Sequence, residues 1–484
     1  MSTRVVRRYE NHLPATDDHP YRTGAWRPNL VEYDCDDMDV IEGRIPDDLR
    51  GTYLRNTENP LLPSIGRYHP FDGDGMLHAI TFDGGRARYR NRMVQTAGLA
   101  AELDANAPLW AGIIEAPAKS VRSDGWGARG KMKDASSTDV IVHAGKAFTS
   151  FYQCGELYAH DPQSLESHGA VPWSKGFGGG AGVSAHPKLD ANANELLVFG
   201  YGTKAPYFTL GVLDASGTLI REVPVPLPGP RLPHDMAFTE HYAIVGDFPL
   251  FWDPELLAQG VHRPRLYKDM PTRFGVVPRA GGETTWFEAA PTYVLHFINA
   301  YEDGTTIVVD GYFQEDPTPK PDPADGPYAG LRKMVDVAAM RARPHRWRLD
   351  MTTGRCTEEK LFDLVSEFPS TDARAGGRRY RTAFAMTAKP GWFLFDGMAR
   401  FDLETGAQQT FKWADGVYGS EGPVAPRSSR ESDGYIVTFV SDTNTDSSEC
   451  QIFSADHIDA GPIARVRMPE RLCAGTHACW APIA

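Results

Sequence analysis

RFDLETGAQQTFK, residues 400–412, alternates apolar and polar side chains up to Asp402, turns through Leu-Glu-Thr-Gly and resumes as a second extended run. Asp offers a side-chain hydrogen bond to the backbone and Gly the positive φ that a tight turn needs, so the stretch is expected to be a β-hairpin. The same form recurs in ITFDGGRARYR (80–90), GVLDASGTLIREV (211–223) and WRLDMTTGRCTEE (347–359). Short runs rich in Val, Ile, Phe and Tyr lie between them, among them ELLVFGY (195–201), TTIVVDGYF (305–313) and GYIVTFV (434–440), and read as strands. Hairpins recurring without a fixed period point to an all-β chain closed on itself, with a propeller favoured, because closure protects sheet edges.

Two segments depart from this form. LRKMVDVAAMRAR (331–343) is the best amphipathic helical pattern in the chain. FQEDPTPKPDPADGPYAG (313–330) holds five prolines, which exclude a central strand, and is expected to be a long surface loop within a single domain spanning 1–484. GGGAG (178–182) lacks a surrounding βαβ pattern and reads as a loop rather than a phosphate cradle.

Composition narrows the function. With 484 residues, 41% hydrophobic and 11% aromatic, the chain can bury a large core. A formal net charge of −13 disfavours a nucleic-acid partner, which would require clustered Lys and Arg; the groups Arg4/Arg7/Arg8 and Arg374/Arg378/Arg379/Arg381 read as solvated surface. No apolar stretch approaches the ~18 residues of a spanning helix, and the opening MSTRVVRRYENHLP lacks a signal-like apolar region. Six scattered cysteines do not make a disulfide framework, so a cytoplasmic protein with reduced thiols is expected.

Of fifteen histidines, His186, His234, His296 and His477 sit where apolar runs end against turn-like neighbourhoods. Imidazole suits Fe, Zn and Cu, and a ligating histidine normally donates its other N–H to a carboxylate. Taken singly each is ordinarily a satisfied core residue, and His69, His78, His143 and His241 pass the same test. No Ser/His/Asp or paired-carboxylate constellation stands out.

Ten motifs separate the candidates. IEGRIPDDLRGTYLRNTENP (41–60), YHPFDGDGMLHAITFDGG (68–85), SAHPKLD (184–190), PHDMAFTEHYAIVGDFPL (233–250), RFGVVPR (273–279), LHFINAYEDG (295–304), SEFP (366–369), SEGPVAPR (420–427), DGYIVTFV (433–440) and THACW (476–480) follow one another in an order that resembles the carotenoid cleavage oxygenase family. The family includes apocarotenoid, lignostilbene and phenylpropenoid cleaving enzymes. The resemblance implies a seven-bladed β-propeller with a helical and loop cap, and Fe(II) on the propeller axis held by His186, His234, His296 and His477. It further implies that Glu367 and Glu421 support the imidazoles and offset the ion's charge, and that Thr138 lies near an open iron position.

The chain also departs from the family. In TSFYQCGELY (149–158), Gln153 stands where the family carries a third glutamate, and Glu156 would replace it only through a shift of three. Where the phenol-cleaving branch has a Tyr and a Lys, this chain has Met93 and Tyr152; Tyr152 can bond a phenol or serve as a core aromatic. The activity implied is O2-dependent cleavage of a conjugated alkene, a carotenoid or an aryl-alkene, into two carbonyl fragments, with peripheral membrane contact if the substrate is a carotenoid. The alternative is a non-catalytic binder of apolar ligands on the same fold.

Overall fold

A computed structural model of the chain describes residues 2–483. The hairpins form where turn chemistry places them. Strands Phe395–Asp402 and Gln408–Lys412 flank a turn in which Asp402 Oδ1 accepts the N–H groups of Glu404 and Thr405, both at 3.1 Å, while Gly406 takes φ +72°. Asp214 accepts from Ser216 and Thr218, and Asp350 from Thr352 and Thr353, in the same way.

The chain divides into two compact units, Met1–Ala185 with Phe411–Ala484, and His186–Thr410. The first carries two six-stranded sheets and one four-stranded sheet. Here Ala478–Pro482 pairs antiparallel with Gly51–Arg55, and Val40–Gly43 with Pro462–Arg467, so strands from both ends of the sequence complete two sheets. The second unit carries four four-stranded antiparallel sheets and a two-stranded ribbon, Leu250–Trp252 with Pro264–Leu266. Three sheets and four make seven, the sheet inventory of a seven-bladed β-propeller.

Each four-stranded sheet of the second unit has one of these strands at an edge: Lys188–Asp190, Met236–Phe238, Phe297–Asp303 or Glu367–Ser370. Large apolar residues hold these sheets together. Phe274, Phe297, Trp347 and Leu349 are all buried in one cluster, with the Phe274 and Trp347 rings 5.0 Å apart. Each such side chain contributes roughly 1.5–3 kcal/mol by leaving water.

The expected helix over 331–343 is corrected. Two short helices, Ala329–Met334 and Val337–Met340, are separated where the Asp336 side chain accepts the Ala339 N–H as a fresh N-cap, and a strand begins at Ala342. The proline-rich segment is exposed over most of its length, but a strand runs into it as far as Gln314 and a helix starts at Ala329. GGGAG contains left-handed φ at Gly178, Gly179, Gly180 and Gly182, which suits a loop. Among the described residues no helix is long and apolar enough to cross a membrane, and all six cysteines are unbridged.

Candidate metal centre

The histidines lie where strands start. His234 and His296 directly precede Asp235-Met236 and Phe297, where two of the edge strands begin, and His186 is followed by Pro187 and the strand Lys188–Asp190. His186 adopts φ +65°, a left-handed conformation costing of order 1–3 kcal/mol in a non-glycine residue, which surrounding structure must hold in place. The residues before the strands are where side chains from separate sheets can approach one another.

These three imidazoles do so. Ring centroids are 4.7 Å apart for His186 and His234, 5.0 Å for His186 and His296, and 5.2 Å for His234 and His296, and all three are buried. His186 Nε2 lies 3.1 Å from His234 Nε2. Two nitrogens each ~2.0–2.1 Å from one ion and at right angles would stand about 3 Å apart, so the spacing fits a shared metal. Glu367, fully buried, takes the His296 Nδ1–H at 2.7 Å, which leaves Nε2 as the donor atom, and it also accepts the Phe368 N–H at 2.7 Å. Phe368, itself at φ +55°, packs its ring edge-on to His296 at 4.7 Å and meets Phe393 and Phe395 behind it.

The remaining site candidates lie in the first unit. His477 is buried and precedes the strand Ala478–Pro482. Glu421 stands 3.4 Å from His477 Nδ1, and its Oε2 accepts the Ala478 N–H at 2.6 Å. YLRNTENP (53–60) supports this segment: the Asn56 N–H donates to the His477 carbonyl, Arg55 donates to Ser420 Oγ, and the Tyr53 hydroxyl donates to the Glu421 carbonyl. Within the second unit, His186, His234 and His296 each offer one buried ring nitrogen to a metal ion, and His477 offers another in the first.

Thr138 is buried, and its Oγ1 accepts the Tyr152 N–H at 3.3 Å. The Tyr152 ring packs against Phe71 and Phe151. Gln153 is buried with its Oε1 lacking a hydrogen-bond partner among the described residues, whereas Glu156 is engaged by the Trp126 indole N–H at 2.7 Å. Met93 belongs to a core cluster with Leu61, Met76 and Leu99. The rival histidines have other work: His69 caps a short helix, His78 bonds the Tyr89 hydroxyl, and His241 is exposed beside Glu302.

Sequence reasoning missed Glu58. It is fully buried, and burial pushes its carboxyl up to about 8. Thr476 Oγ1 lies 2.7 Å from the Thr138 carbonyl and 3.1 Å from Glu58 Oε1. The Thr476 hydroxyl can donate to either acceptor, and so ties the Glu58 carboxyl to the backbone of Thr138. The available signal was a carboxylate inside TYLRNTENP, a stretch otherwise lacking any carboxylate.

The chain is similar in sequence and fold to several known proteins. The family profile described as retinal pigment epithelial membrane protein matches residues 26–482. The chain is 29% identical to a Crocus sativus carotenoid 9,10(9',10')-cleavage dioxygenase over 95% of its own length and 88% of the relative's. It superposes on the crystal structure of Pseudomonas brassicacearum lignostilbene dioxygenase with a TM-score of 0.81 at 26% identity, covering 96% of this chain and 99% of the other. A cobalt-substituted Synechocystis apocarotenoid oxygenase matches with a TM-score of 0.82 at 25% identity, over 95% and 98% of the two chains.

Proposed function

Since the chain belongs to the retinal pigment epithelial membrane protein family of carotenoid cleavage oxygenases, we propose that it is a non-heme Fe(II) dioxygenase that splits a C=C bond of a conjugated alkene with O2, giving aldehyde or ketone products. The observation that carries this reading is the convergence of three buried imidazoles, one of them backed by a buried carboxylate. The profile match extends across both compact units, which supports one oxygenase domain over the chain.

His186, His234 and His296, with His477 as the fourth donor, would hold the ion through neutral nitrogens. Fe(II), when bound, supplies the activation of O2 that no side chain can perform. Glu367 keeps His296 in the tautomer that presents Nε2, and Glu367 and Glu421 offset a charge that four neutral donors leave uncompensated. Phe368, Phe393 and Phe395 place buried apolar surface next to His296, which favours a conjugated substrate and keeps water out. Thr138 and Tyr152 are proposed to border the open position, with Tyr152 available to a substrate hydroxyl. Gln153 is proposed to stand in the place of a third supporting carboxylate. Six unbridged thiols suit a reducing cytoplasm.

The test is anaerobic reconstitution with Fe(II), followed by 18O2 and a panel of apocarotenoids, stilbenes and vinylphenols. Carbonyl products carrying 18O are expected from at least one class. Ligand binding with no cleavage across the panel would replace this reading with that of an apolar-ligand binder.

A further inference from the structure

The strands that follow His186, His234 and His296 belong to three separate sheets, so no β-ladder sets the spacing of the three imidazoles. One side chain reaches all three segments. Asp235, adjacent to His234 and 1% exposed, receives Lys188 Nζ on Oδ1 at 2.7 Å; Lys188 is two residues beyond His186. Its Oδ2 accepts the backbone N–H of Phe297, the residue after His296, at 2.9 Å, and Oδ1 also accepts the Met236 N–H at 2.8 Å. Pro187 restrains the backbone between His186 and Lys188, so fixing Lys188 also restrains His186.

We propose that Asp235 is a positioning residue, and that its bonds to Lys188 and to the Phe297 N–H hold the three histidines at the spacing a metal ion requires. The proposal rests on the metal-centre reading above. The carboxylate is suited to the task because it accepts on both oxygens at once. An amide of the same shape has only one oxygen, and its NH2 group would face either the Lys188 ammonium or the Phe297 N–H, so Asp235→Asn must lose one of the bonds. The pair is a tie rather than a source of net charge: Lys188 and Asp235 neutralise each other, and Lys188 keeps access to water with its side chain 24% exposed.

The experiment titrates apoprotein anaerobically with Co(II) alone, in competition with a chelator, and records the Co(II) visible absorption and the apoprotein melting temperature. Asp235→Asn and Lys188→Gln should each weaken Co(II) binding roughly 10–100-fold and shift the Co(II) bands, the range typical of lost outer-shell partners. Lys188→Arg, which keeps the cation, should restore most of the affinity. Wild-type affinity and spectrum in folded Asp235→Asn would overturn the proposal, as would a lowered melting temperature alone. Should Asp235→Asn fail to fold, Lys188→Gln decides, and unchanged Co(II) binding there overturns it. Absence of Co(II) binding by the unaltered protein would instead overturn the metal-centre reading, and this inference with it.

Discussion

Glu367 meets His296 Nδ1 at 2.7 Å and is fully buried, whereas Glu421 stands 3.4 Å from His477 Nδ1 and directs Oε2 to the Ala478 N–H at 2.6 Å. Both glutamates follow a serine in closely similar motifs, SEFP and SEGP, and both are buried next to a candidate ligand. Their geometry gives them different tasks. On the proposed reading Glu367 would act on an imidazole directly, fixing its tautomer and basicity, while Glu421 would act mainly on the backbone of the strand that presents His477. A sequence motif thus marks where support for a ligand lies without stating whether it reaches the ring or the strand.

The harshest way to break this comparison is to remove a ligand. His296→Ala should abolish metal retention and turnover, a loss exceeding the roughly 10–100-fold that an outer-shell partner commands. Equivalent losses are expected at His186, His234 and His477, each measured as metal bound per chain after anaerobic reconstitution. Full activity with stoichiometric metal in any one variant would strike that residue from the set.

The comparison itself is sharpened by matched Glu→Gln changes. Glu367→Gln should lower iron affinity roughly 10–100-fold. Glu421→Gln should cost less than about tenfold, because an amide oxygen still accepts the Ala478 N–H. Equal effects at the two positions would mean that the difference in distance carries no chemical weight.

Behind His477, Glu58 offers a pH test. Its carboxyl is raised by burial from 4.5 to about 8, so its stabilising contribution is complete below the unfolded value and declines as pH rises toward about 8. Buried histidines act in the opposite sense up to roughly half a unit above their unfolded value of 6.5, since His19 and His160 are lowered to about 4, His69 to about 3 and His78 also downward, while Asp134, raised to about 7, adds to the fall. The melting temperature of the unaltered protein should therefore fall between about pH 7 and 8, and Glu58→Gln should flatten that fall. An identical slope in the variant would show that Glu58 is already ionised in the folded protein.

Much of the fold was legible because turn chemistry is local. Asp214, Asp350 and Asp402 hold their hairpins with bonds spanning two to four residues, and such bonds depend on nothing distant. The helix expected over 331–343 failed for a local reason of another kind: Asp336 is as good an N-cap as it is a member of an amphipathic face. The site was legible only through resemblance. Its histidines each sit beside a short strand, and nothing in their own neighbourhoods separates them from His69 or His78. Glu58 and Asp235 stayed hidden because burial of a charged residue is decided by partners such as Thr476 and Phe297, far away in the sequence, and Lys188 because its partner Asp235 is equally distant.

The smallest expected effect concerns Gln153, whose Oε1 is buried without a hydrogen-bond partner among the described residues. Gln153→Glu adds a negative charge without adding bulk, and should lower the Fe(III)/Fe(II) potential of the reconstituted protein. Identical potentials would show that the position offers only a hydrogen bond.

The most direct test of the central claim is the iron content of purified apoprotein after anaerobic incubation with Fe(II) and removal of the excess. About one Fe(II) per chain is expected, falling to background in His296→Ala with the fold retained by circular dichroism. An unaltered protein that keeps no iron, or a His296→Ala variant that keeps as much, would contradict it.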